Sequence, residues 1–295
     1  VFRRKRFRLR LPSRTLELSE RTLVMGVLNV TPDSFSDGGL FFDPRKAAVR
    51  ALQIERAGAD ILDIGGESAR PGSASISAEE ELQRVLPVFE RLRRRLKIPI
   101  SIDTQKARVA EAAVAAGAEM INDVSALRAD AALAQVARRH RVPVVLMHMR
   151  GKPRTMQKQP FARNVLGDVL SGLRAALERA RRAGLAKSQI LLDPGIGFGK
   201  SFNQNYELLA HLPKLAVLDC PLLVGTSRKA FIGATLSRAR QLRAPVPANE
   251  RVWGTAATLA ASILGGAHIV RVHDVAEMVE VARVTDAILQ ASGLH

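Results

Sequence analysis

The chain has 295 residues, of which 47% are hydrophobic, enough for one domain with a sizeable core and too apolar for a disordered chain. No apolar run approaches the roughly 20 residues that span a bilayer, so no membrane association is expected, and residues 1–10 are too basic and lack the apolar core of a secretory signal. The 45 Lys and Arg against 28 Asp and Glu give +17, but aromatics make up only 4%, so no base-stacking platform interleaves the charge; specific nucleic-acid binding is not expected, and the excess suits attraction of anionic small molecules.

Residues 1–22 read as a basic N-terminal arm and hairpin. Within 6–19, Phe7, Leu9 and Leu11 alternate with polar residues, Pro12-Ser13-Arg14 makes a turn, and Leu16 and Leu18 resume the alternation. The hairpin directly precedes the first strand, so it is expected to plug the N-terminal end of the domain that follows. Its positive charge then lies far from any strand tip, and deletion of residues 1–5 is expected to leave activity nearly unchanged.

Residues 23–295 carry eight short apolar runs, at 23–29, 61–63, 98–103, 120–123, 144–148, 190–193, 222–227 and 269–273. Each ends in a polar residue and is followed by a helical stretch. That repeat is the unit of an α/β (β/α)₈ TIM barrel, in which the C-terminal ends of all eight strands meet at one face. The polar set delivered there is Asn29, Asp63, Asp103, Asn122, Asp123, His148, Asp193, Ser227, Arg228, Lys229, Arg271 and His273. Three junctions, Ala57-Gly58-Ala59, Ala116-Gly117-Ala118 and Gly265-Gly266-Ala267, place glycine after a helix, where a left-handed C-cap is wanted, and then enter a strand. The loops on the opposite face, after strands one, two, five and seven, are long and chemically loaded, and the last of them, 228–249, contains an Arg/Pro stretch expected to be exposed. The one cysteine, Cys220, can make no internal disulfide; it reads as a structural residue of a cytoplasmic protein.

The stretch Asp193-Pro-Gly-Ile-Gly-Phe-Gly-Lys200 has neither the phosphate-loop nor the dinucleotide spacing. Its glycines instead let a planar ligand approach the backbone. Asp103, Asn122 and Asp193 form a carboxylate–amide–carboxylate set that complements a heterocycle with alternating donors and acceptors; the alternative for any one of them is an ion pair at the barrel mouth. Ser227-Arg228-Lys229 and Arg271-Val272-His273 end strands seven and eight, where barrels commonly bind phosphate. Arg supplies a two-pronged fork, Lys an ammonium and His a donor near neutrality. Asn29, with Asp33 and Asp37 in the following loop, could hold Mg²⁺, which takes oxygen ligands and shares them with substrate phosphates. No His/Cys cluster has zinc spacing.

The motifs MGVLNVTPDSFSDGG (25–39), DIGGESARPG (63–72), SIDT (101–104), INDV (121–124), LMHM (146–149), LLDPGIGFGK (191–200), GTSRKAFIG (225–233) and RVHDV (271–275) run in order along nearly the whole chain, and with them the sequence resembles the dihydropteroate synthase family of folate biosynthesis. The resemblance implies a transferase in which the amine of p-aminobenzoate displaces pyrophosphate from a (7,8-dihydropterin-6-yl)methyl diphosphate. It implies that Asp103, Asn122, Asp193 and Lys229 hold the pterin, that Asn29, Arg70, Arg271 and His273 hold the diphosphate, with Mg²⁺ on Asn29, and that Phe35, Arg70, Pro71 and Lys229 flank the p-aminobenzoate. Asp37 would help close the site, and Asn29, Asp103, Lys229, Arg271 and His273 would carry catalysis. It further implies a sulfonamide target and a homodimer. Ala69 and Ala230 stand where many members of the family carry a hydroxyl residue, which bears on binding geometry rather than on reaction class. The rival readings are a pterin-binding methyltransferase domain, which has no diphosphate to grip, and a non-catalytic paralogue.

Overall fold

Strand character follows the apolar runs closely. The structure is a computed structural model and describes residues 4–18, 20–31, 43–68, 72–151, 155–156 and 161–292. β1 (Arg8–Arg10) and β2 (Thr15–Glu17) pair antiparallel, with Leu9 opposite Leu16. The eight runs become β3 (Leu23–Asn29), β4 (Ile61–Gly65), β5 (Ile100–Asp103), β6 (Met120–Asp123), β7 (Val144–Met147), β8 (Ile190–Asp193), β9 (Leu223–Val224) and β10 (Ile269–Val272). They form one parallel sheet in the order β8-β7-β6-β5-β4-β3-β10-β9, and a bridge between Leu192 and Leu222 joins its two ends. The sheet is thus a barrel of eight parallel strands.

The helices are α1 (Pro44–Arg56), α2 (Ala78–Leu92), α3 (Ala107–Ala115), α4 (Ala132–His140), α5 (Val165–Arg182), α6 (Phe202–Ala210), α7 (Ala230–Ala239), α8 (Val252–Leu264) and α9 (Val275–Ala291). Their starts are encoded locally. Asp43 caps Arg45 ahead of Pro44 in the first turn, Ser77 caps Glu80, and Ser201 and Gln204 form a reciprocal capping box. Gly58, Gly117 and Gly266 take φ of 96°, 114° and 99°, as the helix-to-strand junctions require. One expectation is corrected: much of 228–249 is α7 rather than loop, because Phe231 and Ile232 are buried at the start of an apolar helical face. Beyond it, 241–245 and 247–250 are exposed, with Val246 buried between them.

Side-chain parity divides the core in two. Met25, Ile61, Met120, Val145, Leu191, Leu223 and Ile269 point to the barrel axis and pack with Leu9, Leu11 and Leu18 of the hairpin. The hairpin therefore plugs the N-terminal end, as its alternation predicts. The opposite strand faces, among them Leu62, Ile64, Ile121, Val144, Leu146 and Leu192, pack under the helices in a larger outer core. Burying a side chain of this size is worth about 1.5–3 kcal/mol, so both layers hold the barrel closed.

The basic arm is not a loose appendage. Arg4 is buried, and its Nη1 donates to Thr22 Oγ1 at 2.8 Å and to the Ala267 carbonyl at 2.9 Å. Its Nη2 faces Asp286 at 3.4 Å, and Asp286 also accepts from the Thr22 backbone N–H at 2.7 Å. An arginine held this way belongs to the fold, so deletion of residues 1–5 bears on stability even where it leaves activity nearly unchanged. Cys220 is buried, and burial pushes its thiol up to about 11. No helix among the described residues is long and apolar enough to cross a membrane.

Candidate active site

One layer above the apolar floor, the axis-facing positions turn polar. The parity that sends Ile61, Met120, Leu191 and Ile269 inward sends Asp63, Asn122, Asp193 and Arg271 inward two residues later. Asp103 follows the same rule on β5, and Asn29 and His273 continue it toward the mouth on β3 and beyond β10. Seven sequence-predicted residues thus share one face of the barrel wall, while Lys229 reaches in from the N-cap of α7.

Asp63 lies at the centre of this layer. It is fully buried, and its Oδ2 accepts from Arg271 Nε at 2.6 Å and from Asn122 Nδ2 at 3.0 Å. Its other oxygen, Oδ1, has no protein partner. Arg271 Nη2 donates to Asp103 Oδ2 at 2.8 Å. Burial raises the Asp103 carboxyl well above the ordinary carboxylate range, and the Arg271 charge opposes that rise. Asp193 is buried too, which pushes it up to about 6 although its Oδ1 accepts from the Gly195 N–H at 2.7 Å. The layer is therefore a set of strong acceptors held ready in a low-dielectric wall.

Asp193 opens the glycine-rich loop. At Gly195 φ is 66°, and a Cβ there would lie 1.9 Å from the His148 carbonyl oxygen, so no other residue fits without moving backbone. At Gly197, φ is 84° and a Cβ would press on Lys229 Cδ at 3.0 Å. The Lys229 ammonium sits 4.0 Å from the Phe198 ring centroid, a cation–π contact. Burial lowers Lys229 to about 8, against the pull of Asp193 and Asp103. Lys200 is buried behind the loop, and its Nζ donates to the carbonyls of Gly195 at 2.8 Å and Phe198 at 3.1 Å and to His148 Nδ1 at 3.1 Å. It staples the loop to the end of β7.

His273 is neutral: burial, with Arg271, Arg228 and Lys229 nearby, lowers it to about 3. Ser227 Oγ accepts from the His273 backbone N–H at 3.2 Å and lies 3.0 Å from its Nδ1. The hydroxyl proton then serves Nδ1, and the imidazole presents Nε2–H as its one donor.

Three strand-end residues leave the set. Asp123 has the outward parity, and its carboxylate accepts from the backbone N–H groups of Ser125 and Leu127, so it shapes the following turn. His148 also points outward, against Gly172 of α5. Arg228 turns away to Asp274, which accepts from its Nε at 3.0 Å, so it is not free to grip phosphate. Asp33, Phe35, Asp37, Ala69, Arg70 and Pro71 lie outside the described residues. Ala230 is the exposed first residue of α7, and no side chain caps that helix. Among the described residues no group of three or more His, Cys, Asp or Glu side chains could hold a metal. Asn29, half-buried at the tip of β3, offers a single hard oxygen donor, which suits an ion that takes most of its ligands from water and substrate phosphates.

Sequence reasoning missed two contributors. Asp63 was placed at the mouth without a role, although its parity with Asn122 and Arg271 was a usable signal. Phe198 was passed over as part of a glycine run.

A (β/α)₈ barrel whose inner wall carries this acceptor set defines a class, and the chain belongs to the pterin binding enzyme family, which matches residues 25–273. The relatives it resembles are dihydropteroate synthases. It is 48% identical over 269 residues to the dihydropteroate synthase of Synechocystis, covering 91% of each chain. Among solved structures it resembles the Xanthomonas albilineans dihydropteroate synthase with 4-aminobenzoic acid, at 45% identity and a TM-score of 0.87, covering 96% of this chain and 98% of that one. It also resembles the Yersinia pestis dihydropteroate synthase in a sulfonamide drug complex, at 43% identity and a TM-score of 0.88, covering 97% and 100%.

Proposed function

We propose that this chain is a dihydropteroate synthase, a transferase that joins p-aminobenzoate to a (7,8-dihydropterin-6-yl)methyl diphosphate and releases pyrophosphate. The observation that supports this best is the buried layer of Asp63, Asp103, Asn122, Asp193 and Arg271 beside Lys229. Carboxylates and an amide accept and donate along the edge of an aminopterin ring, and the Lys229 ammonium donates to its carbonyl-type oxygen. The high identity to relatives of that activity favours this reading over a methyltransferase domain.

An aromatic amine is a weak nucleophile, so the site gains most by helping the diphosphate depart. Arg271 keeps Nη1 clear of its bonds to Asp63 and Asp103, and neutral His273 offers Nε2–H. Both donors would serve the leaving oxygens, where charge collects. The anionic pair Asp103 and Asp193 favours positive charge spreading from the methylene into the ring. Displacement is therefore dissociative in character and needs no strong base. The uncapped start of α7 suits the p-aminobenzoate carboxylate, since its first N–H groups and the helix dipole attract an anion. Mg²⁺ held through Asn29 and the diphosphate oxygens would neutralise charge on the leaving group.

Self-association is supported by Trp253 at the start of α8, 78% exposed, with Val284 and Ile288 exposed on α9, which packs beside α8. A cytoplasmic location accords with the single buried cysteine.

The test is pyrophosphate release on mixing both substrates, compared with Lys229→Met. Met keeps the contact with Phe198 and removes the charge. Pterin affinity should fall by about 1.5–3 kcal/mol, with turnover falling further because a tilted ring misaligns the methylene. No pyrophosphate release by the parent, or normal pterin binding by a folded Lys229→Met, would overturn the reading.

A further inference from the structure

A second polar cavity lies outside the barrel wall, between the ends of β6 and β7 and the flank of α5. Its volume is about 350 Å³, and its charged lining is Arg128, Arg150, Arg179 and Asp168. The β7 backbone separates it from the pterin layer: the His148 N–H donates to the Asp193 carbonyl at 2.8 Å while the His148 ring turns outward.

The arginines are fixed by main-chain carbonyls rather than by acids. Arg128 donates from Nε to the Ser125 carbonyl at 2.9 Å and from Nη2 to the Met149 carbonyl at 2.7 Å. Arg179 donates from Nε and Nη2 to the Ala126 carbonyl at 3.1 and 3.0 Å. Neither has a carboxylate partner among the described residues. Holding the Ala126 carbonyl in place takes backbone strain, since Ala126 and Leu127 have φ of 52° and 63° and are kept there by the Asp123 carboxylate. Burial and the Arg128 charge lower Arg179, while the Asp123 carboxylate behind the turn opposes that fall. The one acid, Asp168, faces Arg150 Nη1 at 3.4 Å and His148 Nε2 at 3.4 Å. Burial, with Lys200 nearby, lowers His148 to about 3, so it adds no charge. Three guanidiniums against Asp168 in the lining and Asp123 behind the turn leave an excess of one positive charge.

We propose that this cavity is an anion site, separate from the barrel mouth, for a phosphate-class anion. The net positive lining attracts a phosphate monoester, whose charge near neutrality is about −1.5 to −2. Guanidiniums already anchored through some of their donors lose little freedom when the remaining N–H groups engage phosphate oxygens. The cavity also has room for more than a bare phosphate, so an organic tail on the ester can be accommodated along the α5 flank at Gly172 and Ala175.

The experiment is calorimetric titration of the full chain with inorganic phosphate and, separately, glycerol phosphate. The double variant Arg128→Gln/Arg179→Gln should weaken both at least about tenfold, the loss of one charge-assisted hydrogen bond or more. The same titrations in Arg271→Gln should retain this binding, which separates the cavity from the barrel mouth and from the proposed activity. Arg150→Gln, on the rim, should weaken phosphate binding while leaving turnover unchanged, and it decides the matter if the double variant fails to fold. Tighter binding of either compound supports the site and assigns its source. Unchanged affinity in the folded arginine variants, or binding abolished by Arg271→Gln alone, would overturn the proposal.

Discussion

Asp63 and Arg271 lie on opposite sides of β3 in the sheet order, yet their side chains meet across the barrel interior at 2.6 Å. Arg271 also reaches Asp103, so the group expected to bind diphosphate and a group expected to bind pterin form one ion-paired unit. The two subsites cannot be perturbed separately, and Arg271→Ala should weaken pterin binding as well as pyrophosphate binding, contrary to a clean division between them. Asp63→Asn keeps shape and removes charge. It should lower stability by about 3 kcal/mol, the low end for breaking a buried pair, because Asp103 still partners Arg271. Pterin affinity should fall too, since Asn122 loses its charged acceptor. Thermal melts and pterin titration check both effects, and an unchanged melt would contradict the central place given to Asp63.

Pterin affinity should follow a bell-shaped pH profile. Asp193, raised to about 6, accepts as a carboxylate, so affinity rises with pH as it deprotonates. Lys229, lowered to about 8, donates as an ammonium, so affinity falls once pH passes that value. Asp193→Asn should shrink the acid limb to the part that Asp103, also raised by burial, contributes, and Lys229→Met should flatten the alkaline one. Titrations between pH 5 and pH 9 measure this.

Arg4→Ala should cost about 1.5–3 kcal/mol of stability, the scale of lost hydrogen bonds to a charged group. Asp286 keeps its bonds to Thr22, which moderates the loss. Turnover per folded molecule should not change, because the network lies at the end of the barrel remote from Asp103 and Asp193. Deleting residues 1–5 should lower the melting temperature in the same way. A truncated protein that melts like the parent would show the arm to be ornamental.

Chelation should abolish turnover, and Mg²⁺ should restore it. Asn29→Ala should lose most activity while melting normally, since its side chain sits at the tip of β3 above the core. Pterin alone should still bind in chelator, because the Asp193 layer needs no ion. Full activity after metal removal would exclude the role given to Asn29.

The strands, the hairpin plug and the turn glycines were legible because each rests on local pattern: period-2 alternation, apolar runs of three to seven residues, and glycine at a left-handed cap. The inward set was legible for a related reason. Counting back by twos from Asp193 and Asn122 reaches the floor residues Leu191 and Met120. The same count excludes Asp123 and His148, whose chemical type drew attention although their parity was wrong. Arg228 was beyond such counting, because it follows a two-residue strand and takes φ of 60°, where the loop and not the pleat sets direction. Its partner Asp274 is 46 residues away, a pairing only the closed barrel creates.

The hairpin floor makes the barrel a cul-de-sac. With Leu9, Leu11 and Leu18 sealing one end, everything that visits Asn122 and Asp193 enters and leaves by the mouth. Under the proposed chemistry traffic is single-file: the pterin must settle against the inner layer before the arylamine arrives above it. The joined product must back out past the groups that held the leaving anion. Residence time is thus governed at one doorway, and an arylamine mimic lodged there would imprison a pterin already inside.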